Sequence, residues 1–407
     1  MSYKNKLFAI KDCEVCSSNI TGPKLDFGMQ PLCDDLNEDV NYSLNATKYR
    51  QKIILCLSCL TAHQKYQVPK NNLFKSNYHY RASLTKDVLN GMKELANSAS
   101  KFIKLDQNSV VLDIGCNDGS LLKIFKELYN CQIIGVDPTD AIDFSENLDL
   151  KLKDYFDIKA VEEIKKKFDK VDLITFTNVF AHIEDLNLLL KNLSELIDLK
   201  TVIIIENHYL GSIVDKSQFD TFYHEHPRTY SIESFKHISK KLDMNLVDVS
   251  FPKRYGGNIR VVLAKDNAQI DLKLYKEKRF VEKFETMQSI YENWADKSKE
   301  VIDIHQRSNK IFFGKSLPGR AVMLINSLEL KSSIMPTVFE QSFSPKVNNF
   351  IPGTDIKVDS DDNIKNGDLI IWSWHIFDEV LLYLKNLNYV GNIWTPLPHL
   401  RKVAKLD

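Results

Sequence analysis

No stretch of the 407 residues reaches the ~18 consecutive apolar residues that a membrane helix needs. Neither sign of charge is in excess: 54 Lys and Arg balance 54 Asp and Glu. A general nucleic-acid binder needs a basic surplus, so that class is disfavoured, although a local arginine cluster could still hold a phosphate. The opening Met-Ser-Tyr-Lys-Asn-Lys has no apolar signal-peptide run, and the expected location is the cytoplasm. Cysteines are few and odd in number, at seven. That count is a poor basis for a disulfide framework, and four of the seven form two C-x-x-C pairs, which favours metal. There is no internal repeat and no low-complexity tract.

What is present is ample core material, with 43% apolar residues, in a chain long enough for two or three domains. The first ~75 residues read as loop-rich and hold five cysteines, Cys13, Cys16, Cys33, Cys56 and Cys59. A helical spacing of apolar residues covers about 83–104. Short apolar runs then alternate with helical patterns: strands at 109–114, 132–136, 171–176 and 201–205, helices at 121–128, 158–168 and 187–197. Such alternation predicts a doubly wound α/β sheet. A helix near 232–242 and a strand at 258–263 follow, then a charged helical stretch from about 270 to 310. From 310 onward the alternation resumes and predicts a second, smaller α/β layer. The expected division is a zinc-binding module at 1–75, a Rossmann-like cofactor domain at 76–267 and a C-terminal Rossmann-like domain at 268–407.

Cys13-x-x-Cys16 and Cys56-x-x-Cys59 can each form a knuckle presenting two thiolates, and two knuckles complete a tetrahedral zinc site. Four protein ligands leave no open position, so the zinc is expected to be structural. Cys33 is left over and reads as a core residue.

Val110-Val-Leu-Asp-Ile-Gly-Cys-Asn-Asp-Gly119 is the most informative segment. An apolar strand runs into Asp113, and a turn with Gly115 and Gly119 opens a helix, where glycine lets backbone approach a ligand. The spacing is neither G-x-G-x-x-G nor a P-loop. Acid-x-Gly-x-x-x-Gly fits S-adenosylmethionine, with Asp113, Asn117 and Asp118 near its cationic methionine portion. Asp137-Pro138 ends the next strand with an acid suited to the ribose hydroxyls. Asp154-Tyr155-Phe156 follows where the adenine is expected.

Tyr223-His224-Glu225-His226 packs four polar residues together. His226 or His224 could be a general base, with Glu225 orienting a histidine or binding substrate. Asn178-Val-Phe-Ala-His182 ends the strand expected to line the methyl-transfer site. Arg254 and Arg260 could engage a diphosphate through their forked guanidinium groups, and Asn207 and Asn258 are further candidates for substrate contact.

The sequence resembles the sugar C-methyltransferases of nucleotide-sugar pathways, the enzymes that build branched deoxysugars. The likeness spans nearly the whole chain. It rests on the paired C-x-x-C motifs, Leu25-Asp-Phe-Gly-Met-Gln-Pro31, Tyr78-His-Tyr80-Arg-Ala-Ser83, the 113–119 turn, Val179-Phe-Ala-His182 and the Tyr-His-Glu-His block. Gly256-Gly257-Asn258-Ile-Arg260, Asn349-Phe-Ile-Pro352-Gly353 and Trp372-Ser-Trp374 extend it. The resemblance implies a nucleotide sugar held between the cofactor and C-terminal domains. It also implies deprotonation next to a 4-keto group, followed by attack of the enolate on the methyl group. Carried onto this chain, His226 becomes the expected base, and Tyr223, His182 and Tyr80 could hydrogen-bond the substrate. Three places depart from the family pattern: Tyr255-Gly-Gly-Asn258, Pro227-Arg228-Thr229 after the histidine block, and Phe313-Gly-Lys-Ser-Leu-Pro-Gly319-Arg320. The alternative expectation is O- or N-methylation of a nucleotide sugar or related carbohydrate precursor.

Overall fold

The computed structural model describes residues 7–73, 81–84, 86–265, 277 and 279–407; Tyr80, expected in the site, lies outside them. Strands run in chain order as β1 (Phe8–Ala9), β2 (Lys24–Pro31), β3 (Lys48–Leu55), β4 (Ala62–Gln64) and β5 (Tyr66–Gln67). The central region supplies β6 (Val110–Ile114), β7 (Gln132–Val136), β8 (Leu150–Leu152), β9 (Leu173–Thr177) and β10 (Val202–His208). Then come β11 (Arg228–Thr229), β12 (Asn245–Ser250) and β13 (Asn258–Ala264). The last are β14 (Phe312–Lys315), β15 (Thr337–Glu340), β16 (Lys357–Ser360), β17 (Gly367–Ile371), β18 (Gly391–Thr395) and β19 (Arg401–Leu406).

Among the described residues, the central sheet has seven strands in the order β12-β13-β10-β9-β6-β7-β8. Strands β6 to β10 are parallel, and β13 and β12 close the sheet antiparallel. β6 is buried along its whole length, and β7, β9 and β10 are mostly buried, as strands covered on both faces require. The chain builds outward from β6 to β8, then returns to the other side through β9. The switch point therefore lies between β6 and β9, where an open α/β sheet leaves its ligand crevice.

The C-terminal sheet repeats this logic in the order β16-β15-β14-β17-β18-β19. Only β19 is antiparallel to its neighbour, and the switch point falls between β14 and β17. The helix Phe280–Arg307 joins this sheet to the rest. Its Gln288 accepts from the Asp26 backbone N–H at 2.8 Å, its Tyr291 meets Phe27 edge to face at 4.9 Å, and its Trp294 donates to the Pro396 carbonyl at 2.7 Å.

The N-terminal region corrects the loop-rich expectation. β2, β3 and β4 form an antiparallel sheet, and β11 joins its edge, with Arg228 opposite His63. Thus the module with the cysteines takes in Arg228 and Thr229, which follow Pro227 after the histidine block. Cys13, Val15, Ile20, Cys56 and Cys59 are buried in one core with Phe180, Tyr230 and Phe235, which pack beside the central sheet.

Candidate functional site

The four cysteines converge. All four Sγ atoms lie within 4.8 Å of one another, with Cys13 and Cys59 at 3.4 Å and Cys16 and Cys56 at 3.6 Å. A tetrahedral site with Zn–S of ~2.3 Å has sulfur edges of ~3.8 Å, so the donor set fits zinc. The two knuckles share one backbone path. Ser17 N–H bonds to the Cys13 carbonyl at 2.8 Å and Leu60 N–H to the Cys56 carbonyl at 2.9 Å, and Ser17 and Leu60 both adopt positive φ. Cys33 is buried elsewhere, near Gly319.

A cavity of about 960 Å³ opens between the central and C-terminal sheets. Both switch points face it: Asp113–Asn117 and Thr177–Val179 from the central sheet, Lys315–Arg320, Ser373 and His375 from the C-terminal one. Gly115 sits there at φ +74°, where an added Cβ would come within 2.5 Å of Val179.

Asp113, Gly115, Asn117, Asp137, Pro138, Asp154, Tyr155, Phe156 and Asn178 all line this cavity. Burial pushes the Asp113 carboxyl up to about 7, against a Thr175 hydroxyl bond that favours ionisation, while the neighbouring Asp137 adds to the rise. Asp137 accepts from Asn117 N–H at 2.8 Å and from the Thr139 N–H and hydroxyl at 2.9 and 2.6 Å. A carboxylate has roughly four acceptor positions, so most of its capacity shapes the loop. Asp118 and Gly119 do not line the cavity. Asp118 accepts from Ser83 N–H at 2.9 Å and the Ser120 hydroxyl at 2.6 Å, and Gly119 caps the helix Ser120–Tyr129 in the left-handed conformation.

Tyr223, Glu225, His226 and His182 line the cavity together. His226 Nδ1–H donates to the Thr221 carbonyl at 2.9 Å, which fixes the tautomer and assigns the lone pair to Nε2. The His226 ring lies 4.2 Å from the Tyr223 ring, 4.8 Å from His182 and 5.0 Å from His208, centroid to centroid. Burial, with His182 and Arg320 nearby, holds its pKa well below the usual histidine range, so the ring is neutral at pH 7. His182 Nδ1–H donates to the Glu225 carbonyl at 2.8 Å, and burial brings its pKa down to about 4. The Glu225 backbone thus orients His182. Burial raises the Tyr223 phenol well above its usual pKa, leaving a hydrogen-bond donor.

Several expected residues sit elsewhere. His224 does not line the cavity; it is buried against Tyr49, ring to ring at 6.0 Å. Arg254 and Arg260 are also not on the cavity wall. Both pair with the fully buried Glu206: Arg260 reaches Oε2 at 2.7 Å and Arg254 takes Oε1. A buried carboxylate demands such partners, and the two arginines are committed to it rather than facing a diphosphate. Asn258 donates to the same Glu206 and to Asn178, each at 3.1 Å. Asn207 is fully buried on β10 away from the wall.

Sequence reasoning missed His208, Arg320 and His375, which all line the cavity. Arg320 is 4% exposed and donates to the Thr221 hydroxyl at 3.2 Å and the Tyr255 carbonyl at 3.3 Å. Its altered motif, Gly319-Arg320, was the available signal. His208 and His375 had none, because isolated histidines at strand ends look alike in sequence.

Residues 85–249 match the methyltransferase domain model, residues 13–74 a zinc-binding domain model, and residues 253–398 the C-methyltransferase C-terminal domain model. The central domain is a methyltransferase domain. S-adenosylmethionine is the cofactor of such a domain, and the chain as a whole resembles the C-methyltransferases. C-methyltransferase NovU of Streptomyces niveus is 26% identical over 258 residues, or 63% of this chain, and the match spans 61% of that protein's length. Among solved structures, an S-adenosylmethionine-dependent methyltransferase from Anabaena variabilis is 14% identical with a TM-score of 0.33, over 42% of this chain and 84% of that one. Geranyl diphosphate C-methyltransferase from Streptomyces coelicolor A3(2) is 9% identical with a TM-score of 0.33, over 43% and 76%. No helix among the described residues of the methyltransferase domain or its neighbours is long and apolar enough to cross a membrane.

Proposed function

We propose that the protein C-methylates a nucleotide-linked keto sugar, using S-adenosylmethionine and a histidine base. The observation that carries this reading is the single cavity shared by two switch points. A doubly wound sheet binds its ligand at such a point, so one cavity between two of them suits two ligands that must meet. The central end has the residues for the methyl donor, and the C-terminal end is left for the acceptor.

S-adenosylmethionine, when bound, supplies an electrophilic methyl group. The chain's own residues do the remainder. A carbon next to a ketone is acidified by the carbonyl, and His226 Nε2 takes its proton. The Nδ1–H bond to Thr221 holds the ring while Nε2 becomes protonated. Oxyanion charge develops on the former carbonyl oxygen, and the protonated Tyr223 phenol is the donor placed beside His226 for it. Asp113 and Asn117 hold the cationic end of the donor, Asp137 uses its remaining acceptor position on the ribose, and Asp154, Tyr155 and Phe156 flank the adenine. The zinc module acts structurally, by building the sheet that β11 joins.

Hydrogen exchange tests the carbon acid directly. Protein, S-adenosylhomocysteine and a nucleotide 4-keto-6-deoxy sugar are incubated in deuterated water. Washout of the ring proton next to the ketone, lost in His226→Asn, is the expected result. O- or N-methylation of the same substrate class needs no such exchange.

A further inference from the structure

The C-terminal switch point is built around β14, a turn through Ser316, the helix Gly319–Ser327 and β15, which lies parallel to β14. Ser316 adopts φ +64° and its N–H bonds to the Phe339 carbonyl at 2.9 Å, so the turn folds back over the end of β15. The last residue of β15 is Glu340. Its Oε1 accepts from the Leu317 N–H at 2.6 Å, which pins the carboxylate over the turn, and Glu340 lines the cavity. Phe343, three residues on, lines the same wall and is 57% exposed. At the other end of the turn, Arg320 presents a buried guanidinium whose Nη1 has no hydrogen-bond partner among the described residues. In the central sheet the acid at the corresponding place, Asp137, spends three acceptor positions on its own loop; Glu340 spends one.

We propose that Glu340 receives the 2′,3′-diol of a ribose, so that the acceptor sugar is carried by a ribonucleoside diphosphate rather than a 2′-deoxyribonucleoside diphosphate. This rests on the nucleotide-sugar reading above. A strand–turn–helix–strand unit ending in an acid is the arrangement that recognises a ribose 2′-hydroxyl, with phosphate at the turn and helix N-terminus. The helix end alone would not make a site. Arg320 Nε lies 3.9 Å from the buried Asp220 carboxylate, but its Nη1 keeps no hydrogen-bond partner among the described residues and is the donor left for a diphosphate, and Phe343 offers a flat face for the base. Glu340 Oε2, held beside the anchored Oε1, is free of the loop and accepts from a hydroxyl. A deoxyribose lacks one of the two hydroxyls and forfeits a hydrogen bond to a charged acceptor.

The test measures calorimetric affinities of the full chain for ADP, CDP, GDP and UDP, for their 2′-deoxy counterparts and for thymidine diphosphate. The ribonucleotide of the preferred base is expected to bind about ten- to a hundredfold tighter than its deoxy form. Glu340→Ala should erase that gap while S-adenosylhomocysteine affinity, read on the same sample, stays unchanged. Equal affinity for ribo and deoxy forms, or a gap that persists in Glu340→Ala, overturns the inference and leaves the nucleotide-sugar reading in place. If no nucleoside diphosphate binds while S-adenosylhomocysteine does, the nucleotide-sugar reading falls and this inference with it.

Discussion

Arg228 reaches out of the methyltransferase domain and closes an ion pair with Glu14 of the zinc module, Nη1 to Oε2 at 2.8 Å, with the arginine side chain fully buried. The contact sits in a chain of neighbours. His63 Nε2 lies 3.2 Å from Cys13 Sγ and its Nδ1 3.4 Å from the same Glu14 oxygen. Arg228 also donates to the Tyr230 hydroxyl at 3.1 Å and to the Glu184 carbonyl at 3.2 Å. Residue 228 is two positions beyond His226, and Glu184 two beyond His182, so both histidines hang from segments tied to this pair. The departure Pro227-Arg228-Thr229 from the family pattern is thereby given a place in the structure.

Breaking one side of a buried pair leaves the other charge uncompensated. Arg228→Met is expected to destabilise the protein by about 3–5 kcal/mol. Denaturant unfolding measures it, and a loss below about 1 kcal/mol would show that water or another cation substitutes.

The zinc module should bind about one zinc per chain. Elemental analysis checks the stoichiometry. Cys56→Ser should lower thermal stability more than it alters the turnover of whatever remains folded, because the ion has no open coordination position. A metal-free, fully stable protein would contradict this.

Burial pushes the Asp113 carboxyl up from the usual carboxylate range to about 7. Its unionised form keeps acceptor oxygens but lacks the charge that holds a cationic ligand more strongly. Affinity for S-adenosylmethionine should therefore increase as pH rises through 7, and calorimetry at pH 6 and 8 reads the change. Asp113→Asn should flatten that dependence. Separately, Asp137→Ala should weaken S-adenosylhomocysteine binding by roughly 1–3 kcal/mol.

The histidines give the opposite sign. Burial depresses His182 to about 4 and His226 below its usual range, so both stay neutral well under pH 6.5. The acid limb of kcat/KM should fall below the ~6.5 of a free imidazole. The same depression means that the unfolded chain binds protons first, so stability declines as pH drops below ~6.5. His226→Asn should keep cofactor affinity and lose ~10²–10⁴ in rate.

Much of this was legible in the sequence where one rule dominated. Buried parallel strands declare themselves as apolar runs, and β7 falls at the residues its pattern predicts. The C-x-x-C spacing placed four thiolates on one point because a knuckle is a local structure. The N-terminal strands escaped because β2 and β3 mix Lys, Asp, Arg and Gln with apolar residues and gain their order from the sheet and the long helix. Arg254 and Arg260 misled for a related reason. Their partner Glu206 lies about fifty positions away on β10, and only the fold shows that the charge they neutralise is the protein's own. Arg320 and Glu340 became visible as site residues once β14 and β17 were seen to part beside the cavity.

The central claim is transfer of a methyl group to carbon, and the product decides it. The protein is incubated with S-adenosylmethionine carrying a ¹³C-methyl group and with a nucleotide 4-keto-6-deoxy sugar, and the product is followed by NMR. The account predicts a new methyl resonance correlated to a ring carbon adjacent to the ketone, with the proton of that carbon gone. A methyl resonance at the shift of an O–CH₃ or N–CH₃ group, attached to no ring carbon, would contradict it.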